Sequence, residues 1–102
     1  MGLNEIIINK RLKFKLGNLY CEITDSFIDV TEMINLNRLE KSVGINMLQT
    51  ICQNGKRDYK NLKSNNPNDI LFTKSDNDFY TLFDDIESTI KKYSNELYSL
   101  SI

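Results

Sequence analysis

Histidine and tryptophan are absent from this 102-residue chain, and proline occurs once. Without histidine the usual general base near neutral pH is missing, as is the commonest metal ligand. There are two cysteines, Cys21 and Cys52, 31 residues apart. A zinc site would have to combine two thiolates with carboxylates, a poor donor set, so no metal and no cofactor is expected. Each cysteine sits in an apolar pattern, which reads as a reduced core residue of an intracellular, cytoplasmic protein. No apolar run exceeds three or four residues, as in Ile6-Ile7-Ile8. None could span a bilayer, so no membrane partner is expected. The opening MGLNEIIINK lacks a basic region followed by a long apolar segment, so it does not read as a secretory signal. Ile6 stands where a myristoylation site would want Ser or Thr.

Enzymatic machinery is equally scarce. No glycine-rich loop could cradle a phosphate, and no Ser or Cys nucleophile has a visible base. The acidic run DNDFYTLFDDIE lacks the glycine and alternating oxygen ligands of a calcium loop. Asp84 and Asp85 are neighbours and would point apart on a helix, so they read as a solvated face. The expectation is a non-enzymatic protein.

What remains is an ordinary soluble composition, 40% apolar and 26% charged, in one domain spanning residues 1–102. The net charge of −1 is unevenly spread. Residues 1–66 carry ten Lys/Arg and seven Asp/Glu, and residues 67–102 carry three and seven. The first part is therefore basic and the second acidic, which bears on binding.

The spacing of RLKFKLGNLYCEIT predicts a β-hairpin within residues 1–30. Leu12, Phe14 and Leu16 alternate with Arg11, Lys13 and Lys15. Gly17-Asn18 supplies a type II′ turn, and Leu19, Cys21 and Ile23 resume the alternation. Lys13 then faces Glu22 across the strands. Residues 31–63 read as a short helical region. One piece runs from Thr31 towards Leu36, with Asn35 and Asn37 as breakers. A second runs from Arg38 to Val43 and stops at Gly44. A third, Met47 to Gln53, starts after Asn46 and ends at Asn54-Gly55. The polar cluster SNNPND is the strongest break. Ile70 to Thr73 either adds an edge strand or packs. A long helix over 75–100 follows, capped by Ser75 or Asp76. Phe79, Phe83, Ile86, Ile90, Tyr93, Leu97 and Leu100 form a heptad stripe along it. The fold expected is α+β: an N-terminal antiparallel hairpin, short helices and a long C-terminal amphipathic helix.

The stretch KSVGINMLQTICQNGKR has the outline of a helix-turn-helix, with Gly44 in the turn and Leu39, Val43 and Ile45 around it. It departs from that pattern at Glu40, Thr50 and Gln53, which would put polar groups in the contact. Phe27, Ile28, Asp29, Val30, Thr31, Glu32 and Met33 after a hairpin resemble the KilA-N domain of phages and large DNA viruses, over residues 11–63. The resemblance implies an α+β module of a DNA-binding or regulatory protein.

Two functions are expected. In the first, a phage- or mobile-element-type protein binds DNA and regulates transcription. Lys56, Arg57, Lys60 and Lys63 meet phosphates, Tyr59 stacks on a base, and Asn46, Gln49, Gln53 and Asn54 stand nearest base edges. In the second, the protein binds another protein through its acidic C-terminal helix, as a phage-encoded inhibitor of host defence or an assembly adaptor does. The heptad stripe then either packs on the domain itself or overhangs it and pairs two copies as a homodimer, since a 22-residue helix is about 33 Å long.

Overall fold

The computed structural model describes residues 3–100, with side chains from Lys10 to Ser99. It contains three α-helices: α1 (Leu3–Asn35), α2 (Lys41–Asn65) and α3 (Leu71–Leu100). There is no strand among the described residues. The α+β expectation is therefore wrong: this is an all-α, up-down-up bundle measuring 63 × 20 × 16 Å. α2 packs antiparallel to both other helices, and α1 and α3 run parallel with less contact between them.

The hairpin fails because a longer period competes with it and wins. Leu12, Leu16, Leu19, Ile23, Val30 and Ile34 are all buried, with Phe27 half-buried among them. Their spacings of four and three residues place them on one face of a helix through six turns. The hairpin needed Phe14 and Cys21 inside. Phe14 is instead 69% exposed and Cys21 is also at the surface. Gly17 does not turn the chain, and no glycine in the described chain has positive φ. The segment Phe27 to Met33, which was to lead from a strand into a helix, lies wholly inside α1.

The left-handed stop expected at Gly44 is made by Asn37 instead, at φ 58°. The N–H of Arg38 donates to Met33 O at 2.8 Å, and the N–H of Asn37 donates to Ile34 O at 3.1 Å. That pair of bonds is a Schellman closure of α1, satisfying two carbonyls the helix end leaves open. The short helices expected over 31–63 are thus the end of α1 and a continuous α2. Gly44 and Gly55 lie inside α2, buried and three turns apart. A Cβ on Gly55 would stand 2.8 Å from Ile23 Cδ1 and 3.0 Å from Phe83 Cε1. One on Gly44 would overlap the Ile34 side chain. Both glycines let α2 approach its neighbours more closely than any other residue would allow.

The break at SNNPND is the connection between α2 and α3. The Asp69 carboxylate accepts a hydrogen bond from the Leu71 N–H at 2.9 Å, so α3 starts four residues before Ser75. Ile70 to Thr73 form no edge strand: Leu71 to Thr73 make the first turn of α3, and Phe72 is buried. The core is apolar throughout, with Phe83, Leu48 and Ile86 fully enclosed. At one end an aromatic group joins all three helices. Phe79 stacks on Tyr59 with ring centroids 4.2 Å apart and meets Tyr20 edge-on at 5.5 Å.

Candidate functional site

α2 divides its polar residues between two directions. Asn46, Gln49, Gln53, Arg57 and Lys60 recur at helical spacing on its outward face, all exposed. Asn54 is exposed on a separate shoulder. The structure thus brings three of the four amides together with two of the four cations. It separates the other two. Lys56 forms an ion pair with Glu87 of α3, and Lys63 pairs with Asp76 of α3 at 2.7 Å. Arg57 lies 3.3 Å from Asp58, and among the described residues Lys60 is the one cation of the four without an ion pair.

Tyr59 does not stack on anything outside the protein. It is 2% exposed, and its hydroxyl donates to Asp76 Oδ1 at 2.5 Å. Burial raises the phenol's pKa far above its ordinary value, and the hydrogen bond to Asp76 adds to the rise. For Asp76, burial pushes the carboxyl up, but hydrogen bonds from Lys63 and Tyr59 outweigh it and hold the group below its usual range. The hydrogen bond to Lys56 likewise lowers Glu87, and the same bond raises Lys56. The Cys52 thiol sits 3.8 Å from Glu87 and is raised chiefly by burial. This corner is a set of internal clasps between α2 and α3. A third clasp, Lys41 to Glu96 at 2.7 Å, closes the other end and lowers the Glu96 carboxyl.

The heptad stripe of α3 faces inward. Phe79, Phe83, Ile86 and Tyr93 are buried, and Ile90 and Leu97 are half-buried against the same core. The side chain of Leu100 lies outside the described residues. Tyr93 also donates its hydroxyl to Asn35 Oδ1 at 3.1 Å, tying α3 to the end of α1. The stripe fills its own bundle and leaves little apolar surface for a partner.

An apolar surface does exist on α1. Phe14, Gly17, Cys21 and Ile28 follow one another at three-, four- and seven-residue steps on the face opposite the core. Ile28 is 52% exposed, and around Gly17 nothing lies within 4 Å of where a Cβ would be. A groove of about 350 Å³ between α1 and α3 runs alongside, floored by Leu16, Tyr20 and Phe79 and rimmed by Lys13 and Lys74. A hairpin would turn Phe14 and Cys21 inward and hide this surface. A helical period read through Gly17 would have revealed it.

Among the described residues, no group of three or more His, Cys, Asp or Glu side chains is placed to hold a metal ion. No helix among them is long and apolar enough to cross a membrane. No protein-family model, curated relative or solved structure matches the chain.

Proposed function

We propose that this protein is a small non-enzymatic module of the adaptor or inhibitor kind, working in the cytoplasm by binding protein through the outward face of α1. The observation that carries the reading is the exposure of Phe14 and Ile28 on one helix face, beside the open surface at Gly17. Exposed aromatic and aliphatic anchors with polar surroundings are the usual makings of a protein-binding patch. Two free cysteines, one at the surface, suit a reducing compartment.

The nucleic-acid alternative draws its support from Lys60, Arg57 and the outward amides of α2. Against it stand the pairing of Lys56 and Lys63 with α3 and the burial of Tyr59. Fewer free cations mean fewer phosphates neutralised and weaker binding.

Duplex DNA titrated at low and at physiological salt separates the two. Protein binding predicts no complex whose affinity falls steeply with salt. A steep salt slope, flattened by Lys60→Ala with Arg57→Ala, would restore the nucleic-acid function. In parallel, Phe14→Asp with Ile28→Asp should abolish binding of any protein partner while the helical circular dichroism stays intact.

A further inference from the structure

From Lys10 onward the charges of α1 are segregated along its length. Lys10, Arg11, Lys13 and Lys15 lie in its first half, and Glu22, Asp25, Asp29 and Glu32 lie in its second. None of the eight forms an ion pair within the described chain. The contrast with α2 and α3 is direct, since three ion pairs clasp those two helices together.

Within a lone helix this arrangement is unfavourable on two counts. Opposite charges stabilise a helix when they alternate at three- or four-residue spacing, and here each half repels itself. At its C-terminal end the order also opposes the helix dipole, which favours bases in the last turn. Glu32 stands in the last turn of α1, where no base is present.

A pattern that is costly alone becomes self-complementary in an antiparallel pair. Arg11, Lys15, Asn18, Glu22, Asp25 and Asp29 share one edge of α1 at alternating steps of four and three. Reversed and laid against itself, that edge sets Arg11 level with Asp29, Lys15 with Asp25 and Asn18 with Glu22. The same reversal, within a residue or two, brings Gly17 level with Cys21 and Phe14 level with Thr24. The large side chain then meets a smaller one, and the bare Gly17 backbone lets the helices approach. The whole contact, Lys10 to Ile28, is about 27 Å long.

We propose that the partner of this face is a second copy of the same chain, docked through an antiparallel α1–α1 seam about a two-fold axis near Leu19. The inference rests on the protein-binding function assigned above to the same face. A two-fold contact of this kind uses the same patch on both chains, which a reversed charge pattern satisfies. Its flanking ion pairs lie at the solvent-exposed rim, so the dimer weakens as salt rises.

The test is sedimentation equilibrium of the full chain over a range of concentrations, with three variants. Wild type is expected to pass from monomer to dimer. Gly17→Leu is expected to remain monomeric and to melt no lower than wild type, since nothing lies within 4 Å of the new Cβ and the side chain has the open groove beside it. Lys15→Glu and Asp25→Lys should each weaken the dimer at least tenfold, and the double variant should recover most of the affinity. Should Gly17→Leu lose its helical signal, the charge exchange decides alone. A chain monomeric at every concentration, or a dimer untouched by these substitutions, overturns the seam. Loss of a heterologous protein partner by Phe14→Asp would then keep the binding function standing without self-pairing.

Discussion

The hydroxyl of Tyr59 donates to the carboxylate of Asp76 across the α2–α3 contact at 2.5 Å, and the Lys63 ammonium holds the other oxygen at 2.7 Å. One acid thereby commits both the aromatic and one of the cations that a nucleic-acid corner on α2 would need. Tyr59→Phe removes a hydrogen bond to a charged group but leaves Lys63 in place. It is expected to cost about 1.5–3 kcal/mol in urea denaturation. The variant should bind DNA no differently from wild type.

The clasps set the pH response. Asp76, Glu87 and Glu96 are held below the ordinary carboxylate range. Their contribution is present above the unfolded-state values and is lost as pH falls through the lower folded values. Melting temperature should therefore drop below about pH 4. Lys56 and Lys63 are raised by their partners. Their contribution is present below the unfolded lysine value and is lost as pH rises through the folded one, above about 10. Thermal melts of Glu87→Gln should show a shallower acid limb than wild type. An unchanged limb would mean that the Lys56 clasp contributes nothing to folding.

The glycines inside the helices are expected to respond with opposite signs. Gly55→Ala forces a methyl against Ile23 and the rigid Phe83 ring, and overpacking of that kind costs about 1–3 kcal/mol. Gly44→Ala would bring a methyl within 2.3 Å of Ile34 Cδ1 and 2.7 Å of its Cγ1, and that side chain is buried and stiff at χ1, so a loss at least as large is expected. Gly17→Ala meets nothing and should gain up to about 1 kcal/mol from helix propensity. Urea midpoints of the three variants at a concentration below dimerisation provide the comparison.

Leu48 and Ile86 are wholly enclosed where the three helices meet. Truncating either to alanine should cost about 2–5 kcal/mol. In a domain whose whole stability is on the order of 5–15 kcal/mol, that approaches unfolding at body temperature. Thermal melting with a probe of helical content would record it as a shift of ten degrees or more.

The sequence displayed some of these relationships and masked others. The stripe from Phe79 to Leu97 was readable because six apolar residues keep a steady three–four rhythm with no rival pattern. The stop near Asn35 and Asn37 was readable from residues that are weak in helices and tolerant of positive φ. α1 mimics a hairpin because Leu12, Phe14 and Leu16 alternate over a short window and Gly17-Asn18 suits a tight turn. The helical period that prevails becomes visible only when Leu19, Ile23, Val30 and Ile34 are counted with them. Gly44 and Gly55 look like punctuation because glycine is intrinsically poor in helices. Their role depends on Ile34, Ile23 and Phe83, which are distant in sequence. The loss of Lys56 and Lys63 to Glu87 and Asp76 is likewise a tertiary fact, decided by which face of α2 meets α3.

Self-pairing along the outer face of α1 is tested most directly by a dilution series of amide NMR spectra. Concentration-dependent shifts should concentrate at Phe14, Gly17, Cys21 and Ile28, with Gln49, Gln53 and Lys60 unmoved. Spectra that do not change with concentration, or shifts centred on α2 instead, would contradict it.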